Sequence, residues 1–189
     1  SYPSSILARR MLSNSLAVMK RQRSELNLPE LPLYGRADLL ALYDRMEIIP
    51  IEEPVVFEKN GQAIEITAYH AGHVAGAVSF ELTHQGKSVF FTGDLLFNDL
   101  RTLDGAQLPR HPVDLLVMET TRGGAERPPG QQREGEITRL LEDIRKALSR
   151  GGSVLIPVFA LGRMQEMLVV LDEARKNKVL PPTPVFCSG

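Results

Sequence analysis

Val89-Phe90-Phe91-Thr92-Gly93-Asp94 decides how this chain is read: three apolar residues that suit a buried strand run into a glycine, where the backbone turns sharply, and then into a carboxylate. The next apolar run repeats the plan, with Leu115-Leu116-Val117-Met118 delivering Glu119 and then Thr120-Thr121. Further upstream, a strand leads into Tyr69-His70-Ala71-Gly72-His73-Val74-Ala75-Gly76, two histidines in a glycine-rich loop. Imidazoles and carboxylates gathered at strand exits form a ligand set that suits zinc, with manganese and iron as alternatives. On spacing alone, an Asp after a Gly also reads as a turn residue that bonds its own backbone. His70 and His73, three apart, would align on a helix, but Gly72 and Gly76 favour a loop. Two histidines and one acid are too few to close a catalytic metal site.

Outward from these exits the chain alternates helix and strand texture. Leu7, Met11, Leu12, Leu16 and Met19 recur at helical spacing from Ser4 to about Glu25, with Ser4 or Ser5 as the expected N-cap. After Pro29, Pro32 and Gly35, residues Arg36 to Met46 form a second, short helix. Val55-Val56-Phe57 and the alternating Ala63 to Thr67 flank Asn60-Gly61, a hairpin signal. Val78 to Thr83 and Ser88 to Thr92 form a second hairpin around Gln85-Gly86-Lys87. The uniformly apolar Leu115 to Met118 and Val154-Leu155-Ile156 suit strands covered on both faces. A helix over Gln132 to Ser149 lies between them, stopped by Gly151-Gly152. Another runs from about Gly162 to Lys176, and Pro181-Pro182-Thr183-Pro184 leads into a final strand. Ala125 to Gln131, with Pro128-Pro129-Gly130, is the best linker candidate. Met11, Met19, Met164 and Met167 are read as core.

Composition bounds the possibilities. With 189 residues, 43% hydrophobic and 24% charged, the chain has ample apolar content for a core. No apolar run approaches the roughly 18 residues that span a bilayer, so a membrane protein is not expected. Twenty-two basic and 23 acidic residues give a net charge of -1, so contact with nucleic acid must come from a local patch. Arg9, Arg10, Lys20, Arg21 and Arg23 form the one basic cluster worth naming, which reads either as an RNA contact or as a solvated helix face. A single cysteine, Cys187, forbids an internal disulfide and fits a reducing compartment. The chain starts Ser1-Tyr2-Pro3 and stops at Ser188-Gly189, and is expected to be a piece of something longer.

At these residues the sequence resembles the metallo-β-lactamase-fold nucleases of the β-CASP group, RNA-processing enzymes that include the endonuclease subunit of the cleavage and polyadenylation specificity factor. The resemblance rests on Tyr69 to Ala77, Phe91-Thr92-Gly93-Asp94, Met118-Glu119-Thr120-Thr121-Arg122-Gly123, and the long stretch from Gly151 to Glu166, in family order. It implies an α/β fold: part of an αββα sandwich over residues 1–124, lacking its N-terminal metal motif, running into a loop, a helix and the start of a β-CASP domain over residues 125–189. His73 matches a ligand of one metal, and Asp94 the aspartate that bridges two metals. Glu119 matches an acid beside the site that orients a metal-bound group, a role such outer carboxylates perform. His70 is read as structural, and His84 and His111 as unassigned turn residues. Arg163, near a helix start that favours anions, is a substrate-phosphate candidate, with a salt bridge or packing role as the alternative.

The family's His-x-His-x-Asp-His motif and its two later histidines are not in this chain. The resemblance therefore implies a parent enzyme that hydrolyses RNA phosphodiester bonds with two zinc ions, while the isolated chain, with two of the ligands, is expected to be inactive and to bind metal weakly. Its implied partners are RNA and either other processing-complex subunits or a second copy, in the cytoplasm, or the nucleus of a eukaryote. The competing readings are a non-catalytic scaffold relative, a DNA-acting member of the group, and a lactamase-fold hydrolase of thioesters or lactams.

Overall fold

A computed structural model of the protein describes residues 1–126, 128 and 132–188. Helices α1 (Tyr2–Leu26) and α2 (Arg36–Tyr43) precede strands β1 (Val55–Lys59), β2 (Gln62–His70), β3 (Val78–His84), β4 (Lys87–Phe91) and β5 (Leu115–Val117). Helices α3 (Arg133–Ser149) and α4 (Arg163–Lys176) follow. The strands form one mixed sheet in chain order, antiparallel from β1 to β4, with β5 parallel to β4. The class is α/β, as the sequence implies. Both hairpins form where expected: the turn residues Asn60, Gly61, Gln85 and Gly86 all take positive φ, as tight two-residue turns between twisted strands require.

The register sorts the sheet into two unlike faces. Directly paired residues share a face, so Phe57, Ile64, Ile66, Leu82, Phe80, Val89, Phe91, Leu115 and Val117 form one continuous apolar surface. On it, Phe57, Ile64, Phe91, Leu115 and Val117 are 39% to 54% exposed. The opposite face carries Tyr69, Ser79, Glu81 and Phe90, all buried. A hydrophobic cluster lies elsewhere: Ile144 of α3, Ala174 of α4 and Leu180 pack with Leu140, Leu141, Leu148, Leu171 and Ile156. Burying a side chain such as Ile144 stabilises by about 1.5–3 kcal/mol.

Several sequence expectations need correction. Helix α1 begins before Ser4, capped by the Ser1 hydroxyl, which accepts from the Ser4 amide. Pro3 falls in the first turn, where its missing N–H removes no helical bond. Helix α2 stops at Tyr43, short of Met46. Met19 is buried, whereas Met11 is exposed because it falls off the stripe that buries Leu16 and Met19; Met164 and Met167 are half-buried. Leu115 to Met118 is not covered on both faces: successive residues, which point to opposite faces, are all 45% to 54% exposed among the described residues.

Val154-Leu155-Ile156 forms no strand among the described residues, and neither does the segment after Pro184. A strand needs a partner, and neither run has one here; Leu155 and Phe186 are almost fully exposed. Ile156 instead packs on the α3 and α4 cluster. The expected linker lies partly outside the described residues, at 127 and 129–131.

Candidate active site

Topology brings the sequence-derived site residues to one end of the sheet. β2 and β4 are each antiparallel to β3 and therefore run the same way, and β5 is parallel to β4. All three release their chains at the same end: β2 toward His73, β4 toward Asp94 and β5 toward Glu119. His73 Nε2 stands 3.9 Å from Asp94 Oδ2, with the two side chains 38% and 74% exposed. Glu119 Oε1 accepts a 2.7 Å hydrogen bond from the Leu95 amide, beside Asp94. That bond first, then hydrogen bonds from Thr121 and the nearby His73, hold the Glu119 carboxyl below the usual carboxylate range.

Polar side chains inside the sheet lock these exits together. Ser79 Oγ, fully buried, donates to Thr92 O at 2.8 Å, and the Thr92 amide donates to Val117 O at 3.0 Å. Thr92 Oγ1 accepts from the Glu119 amide at 3.2 Å and donates to Gly93 O at 2.8 Å. The end of β4 is thus tied to both neighbours. Beyond Asp94 the chain folds back across the His73 loop, with Leu96 N donating to Ala71 O, Ala106 N to Leu96 O and Gln107 N to His70 O. Gly72 makes this crossing possible: its φ is +69°, and a Cβ there would stand 2.3 Å from Leu96 O and 2.5 Å from Ala106 N.

The other three histidines are placed differently. His70 is the last residue of β2 rather than a loop residue, and is exposed. His84 ends β3, with Nδ1 2.8 Å from Ala63 O. His111 Nε2 lies 2.8 Å from Oε1 of the buried Glu81, whose Oε2 accepts from Tyr69 OH at 3.1 Å. Burial first, then that hydrogen bond and the Glu81 and Glu52 charges, push the Tyr69 hydroxyl up to about 12. Arg163 is exposed at the first position of α4.

Sequence reasoning missed Ser79, Thr92, Glu81 and Glu166. Alternation along Val78-Ser79-Phe80-Glu81-Leu82 assigns Ser79 and Glu81 to a polar face, and nothing in that pattern says the face is covered. Glu166 ends the distinctive stretch from Gly151, where the sequence pattern assigns it no role, yet its side chain is only 3% exposed.

Among the described residues, no three His, Cys, Asp or Glu side chains converge closely enough to hold an ion. His73 and Asp94 nevertheless fit as two corners of a zinc site. Donors at 2.0–2.2 Å in tetrahedral array stand about 3.4 Å apart, so small side-chain rotations would bring the 3.9 Å pair onto one ion.

The likeness that assigns this chain is to whole-protein relatives rather than to the site: over most of its length it matches proteins of the β-CASP family of the metallo-β-lactamase fold, and it belongs to that family. It is similar to endoribonuclease YSH1 of Candida glabrata, 37% identical over 173 residues, 92% of this chain and 22% of that protein. It is also 42% identical to endoribonuclease YSH1 of Kluyveromyces lactis over 145 residues (77% of this chain, 18% of that protein). With endoribonuclease ysh1 of Schizosaccharomyces pombe it shares 39% over 155 residues (82% and 20%). The chain spans about a fifth of the length of these relatives. No protein-family model matches it.

Proposed function

We propose that the full-length protein is a zinc-dependent hydrolase that cuts RNA phosphodiester bonds internally, and that this chain supplies His73 and Asp94 as metal ligands. The observation that carries the reading is the meeting of His73, Asp94 and Glu119 at one end of the sheet, in a chain similar to proteins named endoribonuclease. Bound zinc supplies Lewis acidity, lowering the pKa of a water to about 7 and stabilising charge on the phosphoryl oxygens.

The chain's own residues set the geometry. Asp94, three-quarters exposed, keeps both oxygens open to cations, which suits a bridging role. Glu119, held ionised by the Leu95 amide, keeps a fixed negative charge beside His73 and aligns the groups around it. The start of α4 lies against Val74, next to His73, since a Cβ on Gly162 would stand 2.8 Å from Val74 Cγ1. Arg163, exposed at the first position of that helix, where the helix dipole is positive, suits a substrate phosphate.

On this reading RNA is the substrate and the boundary of the lactamase-like part falls near residue 124. Further subunits or a second copy would associate with the whole protein, in the cytoplasm or a eukaryotic nucleus. No helix among the described residues is long and apolar enough to cross a membrane. The test is cleavage of an internally labelled RNA by the full-length protein. Internal products that disappear with chelator and return with zinc are expected. Failure to cut RNA, or cutting of DNA alone, would overturn the reading.

A further inference from the structure

Glu166 has no part in the chemistry above, yet it is the most heavily bonded carboxylate in the described structure. Oε1 accepts from the Arg101 amide at 2.9 Å and from the Arg133 guanidinium. Oε2 accepts from the Thr102 amide at 3.1 Å and the Thr102 hydroxyl at 2.9 Å. Burial pushes its carboxyl up, but the Arg101 amide, the Thr102 hydroxyl and the Arg133 charge outweigh burial and hold it below the ordinary value. Arg101 adds a second fastening: its guanidinium grips Glu134 of α3 with two bonds, 2.9 and 2.6 Å, and reaches Glu173 of α4 at 3.1 Å. The segment around residues 101–102 is therefore fastened to both helices.

That segment belongs to the chain that leaves Asp94 and crosses the His73 loop. Leu100 N bonds Leu103 O, Gly105 N bonds Asp99 Oδ1, and Ala106 N bonds Leu96 O, whose own amide holds Ala71. A hydrogen-bonded path thus runs from α4 through Arg101 and Thr102 to the backbone beside both His73 and Asp94. The Gly162 contact with Val74 is a second, independent meeting of α4 with the His73 loop.

We propose that Glu166 is a positioning residue: its carboxylate clamps the 99–105 loop to α4 and so fixes the helix start that carries Arg163 relative to His73 and Asp94. The inference rests on the reading of Arg163 as a phosphate contact. Misplacement of a substrate-positioning group by about 1 Å costs on the order of 100-fold in rate.

The test uses the full-length protein with Glu166→Gln, which removes the charge, and Thr102→Val, which removes one donor and leaves no buried charge unpaired. Hydrogen exchange should show the Arg101 and Thr102 amides losing protection in Glu166→Gln while zinc content stays at the wild-type level. For RNA cleavage, kcat should fall about 10- to 100-fold in Glu166→Gln and less in Thr102→Val. Arg163→Ala should cost less in the Glu166→Gln background than alone, because the clamp acts through that helix start. Unchanged amide protection, or fully additive losses of Glu166→Gln and Arg163→Ala, would overturn the clamp. If Glu166→Gln cannot be purified folded, the same two readouts in Thr102→Val decide. A wild-type protein that cuts no RNA would instead sink the functional reading, and the exchange result would still judge the clamp.

Discussion

Asp94, in the bend after β4, and Glu166, in the first turn of α4, are both carboxylates, and they stand in opposite surroundings. Glu166 is 3% exposed with both oxygens doubly engaged, so nothing more can bind it. Asp94 is 74% exposed, with the ring nitrogen of His73 3.9 Å from its carboxylate. A saturated buried carboxylate holds structure, because removing it strands its donors. An open one at a strand exit retains its coordination capacity, and that spare capacity is what a cation site requires.

The sharpest way to break this contrast is to remove each acid and read activity against stability. Asp94→Ala should lower RNA cleavage by the full-length protein roughly 10,000-fold, about 5 kcal/mol, and leave the melting temperature unchanged or higher. A large loss of stability in that variant would show that Asp94 is structural. Glu166→Ala should show the reverse weighting, costing about 3–4 kcal/mol of stability by denaturant titration because Arg133 and two amides lose their acceptor.

The acid limb of the stability profile tests the Glu166 side of the contrast more finely. The folded-state pKa of Glu166 is depressed, so its stabilisation is present above the unfolded carboxylate value, about 4.3. It is lost as pH falls through the lower folded value. Melting temperature followed downward from neutral pH should therefore drop less steeply below about pH 4 in Glu166→Gln than in wild type; parallel curves would contradict the assignment. Ser79→Ala, which strands Thr92 O in a buried setting, should cost about 1–2 kcal/mol. Lys87→Ala, removing an exposed partner of Asp114, should leave stability within error in a thermal melt.

How much of this was legible in the sequence follows from range. The hairpins at Asn60-Gly61 and Gln85-Gly86 and helices α3 and α4 were readable, because turn chemistry and helical periodicity are properties of adjacent residues. Val154 to Ile156 has the composition of a strand and is not one here, since pairing depends on a partner that composition does not encode. The same limit hid the covered face of the sheet: Glu81 looks solvent-facing until His111, thirty residues on, is seen to meet it. His73, Asp94 and Glu119 were visible as acids and an imidazole at strand exits, while their convergence required the strand directions. Glu166 has no role that its neighbours in sequence reveal, because its partners Arg101, Thr102 and Arg133 are remote from it along the chain.

A metal held by His73 and Asp94 is read most directly by elemental analysis of the full-length protein. Zinc bound stoichiometrically in wild type, and reduced in both His73→Ala and Asp94→Ala but not in Glu166→Gln, is the predicted result. Equal zinc content in wild type and both ligand variants, or a wild type that retains no metal, would contradict it.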